Sequence, residues 1–318
     1  MPLLDLPLAE LQTYEGRNER PEDFDAYWVR GLAELASVPA NVDLSPGPYL
    51  YRNAEAFDLF FDGTRGGRVY AKYLRPKGGK NLPTLLFFHG YTWRSEDWSA
   101  LLGWVGEGYA VAAMDCRGQA GRSTDTTVTS GNTQHGLIIR GVDDAPDDLY
   151  FRQVFLDGAR LAEVVAGFDE TDETRIGALG GSQGGGLTLA CAALSPLVKM
   201  CAPTFPFLCD YRRVWEMDLA AGAYAELKTW FRMRDPLHRR EGEFFTRLGY
   251  IDNQHLAPRI SAETLFSVGL MDAVCPPSTQ FAAYNRIAGP KRLLIYPDYG
   301  HEGLHGQGDE LHEFFARL

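Results

Sequence analysis

Arg175 to Ser195 reads RIGALGGSQGGGLTLACAALS, and this stretch decides the fold. Ile176–Leu179 is a short apolar run, Gly180-Gly181-Ser182-Gln183-Gly184 is a tight turn, and LTLACAALS has the composition of a helix. A glycine-framed serine between strand and helix is the context in which a G-x-S-x-G pattern forms a nucleophile elbow. The turn must be sharp enough to leave the serine hydroxyl exposed at the top edge of a sheet. Side chains at Gly180 and Gly184 would then collide with the adjoining strand and helix. A helix that starts right after the serine also turns its N-terminal N–H groups toward developing negative charge. Ser182 is the candidate nucleophile; the competing reading is a Gly/Ser-rich turn with no special role.

Outward from the elbow the same rhythm repeats. Short apolar runs end in turn residues at PTLLFFHG (83–90), YAVAAMDCRG (109–118), VKMCAPTFP (198–206), ETLFSVGLMD (263–272) and KRLLIYPDYGH (291–301). Helix-length stretches such as LYFRQVFLDGARLAEVVAGF (149–168) lie between most of them. Strands apolar on both faces and separated by helices imply a mostly parallel, doubly wound α/β sheet covered on both sides. Reactive groups in such sheets gather at the carboxyl ends of the strands. Ala56–Gly63 and Arg68–Pro76, joined by a Gly-containing turn, predict an antiparallel hairpin ahead of this sheet. Residues 1–50 read as an N-terminal extension with a helix over Pro21–Leu35. Residues from about 206 to 259, rich in aromatics and both charge signs, read as a helical insertion that covers the site or makes oligomer contacts. The chain as a whole, 1–318, reads as a single domain.

Composition narrows the function classes. With 318 residues, 45% of them hydrophobic, the chain can bury one large core. Its net charge of −11 repels phosphate backbones and anionic lipid, so neither nucleic acid nor a membrane surface is expected as a partner. The apolar runs are too short to span a bilayer, and the first residues lack the basic segment of a secretion signal. A cytoplasmic protein is expected. Five cysteines without C-x-x-C spacing form neither a disulfide framework nor a zinc site and read as buried thiols. No metal is expected.

A serine hydroxyl is a weak nucleophile and needs a base, which after a G-x-S-x-G elbow comes late in the chain behind an acid. His301 follows the last apolar run and is the favoured base. His305 lies in the same loop, and His312 falls in the amphipathic stretch DELHEFFARL as a surface residue. Asp272, the first carboxylate after Thr264–Gly269, is the favoured acid, to fix the imidazole tautomer and stabilise the imidazolium. Asp298 sits too close to His301 to orient it from behind and reads as a turn residue. The oxyanion donors should be the backbone N–H of Gln183 and that of Tyr91, in the loop His89-Gly90-Tyr91 after TLLFF. His89 reads as a structural histidine under that loop. Tyr91, Phe207 and Trp215 are expected to close an acyl pocket.

With these residues assembled, the chain resembles the acetyl xylan esterase / cephalosporin C deacetylase family of α/β-hydrolase carbohydrate esterases. The resemblance rests on Arg117-Gly118-Gln119, Gly180-Gly181-Ser182-Gln183-Gly184 and His301-Glu302. PEDFDAYW, LYFRQVFLDGARLAEV, LGYIDNQHLAPRI and DAVCPPSTQFAAYN add to it. It implies a cytoplasmic, cofactor-free serine esterase that deacetylates short acetylated xylo-oligosaccharides, other small acetyl esters and cephalosporin C. It further implies Ser182, Asp272 and His301 as triad, Tyr91 and Gln183 as oxyanion hole, and a homo-oligomer, commonly a hexamer. The Arg-Gly-Gln motif is structural in the family, and a bidentate guanidinium just past a core strand can tie loops beneath the site. Competing readings are a broader small-acyl carboxylesterase, a prolyl-oligopeptidase-type peptidase and a non-catalytic scaffold on the same fold.

Overall fold

A computed structural model describes residues 4–131 and 136–318. Nine strands are present among them: β1 (Asp43–Pro46), β2 (Ala54–Asp62), β3 (Arg68–Pro76), β4 (Leu82–Phe88), β5 (Ala110–Met114), β6 (Thr171–Gly181), β7 (Val198–Thr204), β8 (Glu263–Gly269) and β9 (Lys291–Tyr296). They form one sheet in the order β1-β2-β3-β5-β4-β6-β7-β8-β9. β1, β2 and β3 pair antiparallel, and β3 joins β5 antiparallel. From β5 through β4 to β9 every pairing is parallel. This is the doubly wound α/β-hydrolase arrangement that the apolar runs imply.

The alternation of strand side chains divides the interior into two cores. Leu86, Phe88, Ala112, Met114 and Ala178 face the helices Tyr150–Ala166 and Gln183–Leu194. Leu85, Val111, Ala113 and Leu179 face Trp104 and the closing helix Gln307–Phe315, through Phe314 and Phe315. Both faces are thus shielded, which is why the central strands carry almost no polar residue.

The order reverses at β4, which has β5 on one side and β6 on the other. In doubly wound sheets such a reversal is where a crevice forms at the carboxyl ends, because neighbouring connections leave in opposite directions. The register sets Phe88 beside Gly180, so the loop after β4 and the elbow after β6 start as neighbours.

Some boundaries differ from the sequence reading. β6 begins at Thr171, well before the apolar run, because Thr171 still pairs with Leu82. The N-terminal helix spans Phe24–Ser37, leaving Pro21 ahead of its first turn. The extension also contributes β1, an edge strand that the composition DLSP does not announce. Between β7 and β8 lie the helices Tyr211–Glu216, Ala225–Arg234, Glu241–Gly249 and Asn253–Leu256, as the aromatic-rich stretch implies. All five cysteines are buried and free. Among the described residues, no helix is long and apolar enough to cross a membrane.

Candidate active site

Ser182 directly follows β6 and caps the helix Gln183–Leu194 with φ +56° and ψ −119°, a backbone conformation unusual for a residue with a side chain. Its surroundings hold it there. The Ser182 N–H donates to Thr204 O at 3.0 Å, and its carbonyl accepts from Gly186 N–H at 3.0 Å and Phe207 N–H at 2.9 Å. A Cβ at Gly180 would sit 2.5 Å from Phe88 O, and one at Gly184 would press on the same carbonyl more closely still. Both glycines are dictated by the approach of β4, as the elbow reading requires.

His301 reaches Ser182 from the loop after β9. Its Nε2 lies 2.9 Å from Ser182 Oγ, and its Nδ1 lies 2.8 Å from Asp272 Oδ2. Asp272 is fully buried after β8 and is not left short of partners. Its Oδ1 accepts from Val274 and Cys275 N–H at 2.8 Å each, and Oδ2 accepts from Gln280 Nε2 at 3.3 Å. Three donors besides the imidazole satisfy its two oxygens. Glu302 is exposed and accepts from Gly300 N–H at 3.0 Å, which fixes the turn presenting His301. Asp298 and His305 are exposed in the same loop and bond to none of the three. His312 stacks on Trp104 with ring centroids 3.8 Å apart, away from the centre.

The backbone N–H groups of Tyr91 and Gln183 donate to no protein acceptor among the described residues. The loops that carry them are stitched together by side chains. Gln183 Nε2 donates to His89 O at 3.3 Å, while Gln119 Nε2 donates to Gln183 Oε1 at 2.8 Å and to Tyr150 Oη at 3.0 Å. Gln119 and the Gln183 side chain thus bridge the motif after β5 to the elbow. Sequence reasoning treats Gln183 only through its backbone and misses this. His89 is structural as expected: Nε2 accepts from Cys116 N–H at 2.9 Å and Nδ1 faces Gly90 O at 2.7 Å. Burial lowers its pKa and keeps it neutral.

Arg117 is wholly buried. Its Nε donates to Asp157 Oδ2 at 2.7 Å, Nη2 to Asp157 Oδ1 at 2.5 Å, and Nη1 to Thr64 O at 3.0 Å. The fork ties the loop after β5 to the helix Tyr150–Ala166 and to the hairpin turn. Gly118 takes φ +66°, which lets the chain bend between Arg117 and Gln119.

Of the three aromatics expected at an acyl pocket, two pack together and one lies elsewhere. Tyr91 and Phe207 pack edge to face at 5.3 Å, and Phe207 meets Tyr224 at 4.4 Å. Trp215 does not join them. It stacks on Phe231 at 4.5 Å inside the insertion, whose own aromatic cluster claims it. The sequence presents Cys275 only as a buried thiol, yet it lies with Asp272 and His301 in a group whose ligand-type atoms fall within 4.8 Å of one another. Asp272 and His301 are already engaged with each other there.

The profile described as acetyl xylan esterase (AXE1) matches residues 1–318. The chain belongs to the acetyl xylan esterase family. Acetyl xylan esterase 1 from Thermoanaerobacterium sp. is 51% identical, with a TM-score of 0.98 over 99% of each chain. An acetyl xylan esterase from Paenibacillus sp. is 38% identical, with a TM-score of 0.94 over 98% of this chain and 100% of that one. A curated acetyl esterase from Xylanibacter ruminicola is 27% identical over 287 residues, 88% of this chain. This chain spans 63% of that relative's length. The three motifs on which the acetyl xylan esterase resemblance rests all fall at the elbow or on the loops beside it.

Proposed function

We propose that this chain is a serine esterase that removes acetyl groups from acetylated xylo-oligosaccharides and other small acetyl esters, cephalosporin C among them. The observation that carries the reading is the unbroken relay from Ser182 Oγ to His301 at 2.9 Å and on to Asp272 at 2.8 Å. Family membership directs that chemistry to acetyl esters.

Ser182 Oγ attacks the acetyl carbonyl while His301 Nε2 takes its proton. Asp272, holding Nδ1–H, keeps the ring in the tautomer that can accept and stabilises the imidazolium. The N–H groups of Tyr91 and Gln183 receive the tetrahedral oxyanion, each worth on the order of 3 kcal/mol in the barrier. His301 returns the proton to the leaving sugar oxygen, and the C–O bond breaks. Water, deprotonated by the same imidazole, attacks the acetyl-serine, and acetate leaves as Ser182 regains its proton. In this reading the Tyr91 ring, backed by the buried Phe207, limits the acyl chain.

The chain works as a single domain in the cytoplasm and assembles into a hexamer; the family resemblance supports this, and a solution mass of six chains is the expected result. The function is tested with acetylated xylobiose, glucose pentaacetate, cephalosporin C and p-nitrophenyl acetate and octanoate, on wild type and Ser182→Ala. Acetyl esters should be cleaved, octanoate should not, and the variant should be inactive. Turnover persisting in Ser182→Ala, or equal rates on acetate and octanoate, would refute the corresponding part.

A further inference from the structure

Glu226 stands in the first turn of the insertion helix Ala225–Arg234, a surface helix by position, yet it is only 6% exposed. Its carboxylate sits at a junction of three segments. Oε1 accepts the Tyr91 hydroxyl from the loop after β4. Oε2 accepts Ile138 N–H at 2.6 Å and Ile139 N–H at 3.2 Å. Leu137 N–H closes the ring by donating to Tyr91 Oη at 3.2 Å. A buried acid with this many donors aimed at it is built into the fold, since each unpaired partner would otherwise be stranded out of water.

The residue so held belongs to a loop that needs holding. Thr92, next in the chain, has φ +57° without being glycine, so the loop does not rest in its own preferred conformation. Gly90 offers no side chain to anchor it. Three ties join the loop to the rest of the site: Gln183 Nε2 reaching the carbonyls of His89 and Gly90, Cys116 N–H donating to His89 Nε2, and the Tyr91 side chain. Its ring lies on Phe207, and its hydroxyl is claimed by Glu226.

We infer that Glu226 is a positioning residue for acyl transfer: by clamping the Tyr91 side chain it sets the aim of the Tyr91 N–H at the oxyanion. This rests on the acyl-transfer reading above and makes the helical insertion part of the catalytic apparatus. The carboxyl is also poised to titrate. Burial pushes it up to about 8, opposed by the amides. Tyr91 is the titratable group facing it among the described residues; Arg140 turns to Asp125 at 3.1 Å and Lys228 to Asp218 at 3.0 Å. As pH rises through that value Glu226 becomes negative and accepts more strongly, so the clamp tightens and kcat rises.

The test uses p-nitrophenyl acetate with Glu226→Ala, Glu226→Gln, Tyr91→Phe and the Glu226→Ala/Tyr91→Phe double variant. Glu226→Ala and Tyr91→Phe should each lower kcat about 10- to 100-fold with KM nearly constant, the signature of lost transition-state alignment. The double variant should be no slower than the slower single, because both remove one clamp. Glu226→Gln, which keeps an acceptor for the amides, should recover much of kcat while losing the rise near pH 8. Losses that multiply in the double variant, or an unchanged kcat in Tyr91→Phe, would overturn the inference. Should circular dichroism show Glu226→Ala unfolded, Tyr91→Phe and the Glu226→Gln pH profile decide it alone. Labelling of wild type by a fluorophosphonate separates the two levels. An unlabelled Ser182 defeats the acyl-transfer reading, whereas a labelled Ser182 with indifferent variants defeats only the clamp.

Discussion

Asp272 never touches substrate in the proposed reaction, so its contribution depends on which proton His301 carries. Asn at position 272 can keep the contacts from Val274 and Cys275 through its oxygen, but it turns an N–H₂ toward the ring. The ring must then accept at Nδ1 and carry its proton at Nε2, facing Ser182 with nothing to receive the hydroxyl proton. Asp272→Asn should therefore fold normally and lose on the order of 10⁴ in kcat, as a wrong tautomer does in such triads. Steady-state rates beside an unchanged melting curve check this; a loss of tenfold or less would mean that Asp272 is not the orienting acid. Gly184 makes the opposite kind of demand, one of space. A methyl group there meets the Phe88 carbonyl inside contact distance, so Gly184→Ala must push the elbow away from β4. Activity should fall on the order of 100-fold, as expected for a displacement near 1 Å, together with a lower melting temperature.

Between elements, the Arg117–Asp157 fork is the contact whose removal should matter most for stability. Both side chains are fully buried, so deleting one leaves the other charge in the interior without its partner. Arg117→Met should cost about 3–5 kcal/mol in urea unfolding, and Arg117→Met with Asp157→Leu should recover most of it. If the double variant is no more stable than the single, the fork contributes something beyond charge pairing. This fork also marks the limit of what local sequence discloses. The parallel strands, the elbow, His301, Asp272 and the structural role of His89 were legible, because each depends on apolar period, glycine placement or position after a strand. β1 was not, since four mostly exposed residues ending in proline carry no strand pattern. The partners of Arg117, Gln183 and Tyr91 were equally hidden. Asp157, Gln119 and Glu226 lie 40, 64 and 135 residues from them, and nothing in local periodicity encodes a contact at that range. The position of Trp215 is hidden for the same reason: its aromatic character fits a pocket or a cluster equally well, and only the packing of Phe231 and Phe245 against it decides between them.

Across the whole molecule, the N-terminal extension is fastened to the insertion by buried acids. Asp210 accepts the Tyr14 hydroxyl at 2.8 Å and the N–H groups of Arg17 and Asn18 at 3.0 and 2.8 Å, while its own N–H donates to Asp252 Oδ1 at 2.9 Å. Two carboxyls this close and this deep do not ionise together. The three donors favour the charge on Asp210, and burial with the neighbouring acid raises Asp252 from 3.8 to about 7. The sign of the stability effect follows. The unfolded chain releases this proton near the ordinary carboxyl value, whereas the folded protein retains it until about 7. Over that window the native state binds the extra proton, so this pair's contribution to stability declines as pH rises from about 4 to 7 and levels off above. Asp252→Asn removes the titration while keeping an oxygen for the N–H groups of Asp210 and Gln254. Measured by urea unfolding, the variant should gain on wild type between pH 5 and pH 8. A difference that stays constant across that range would place the proton elsewhere and leave the extension's attachment independent of pH.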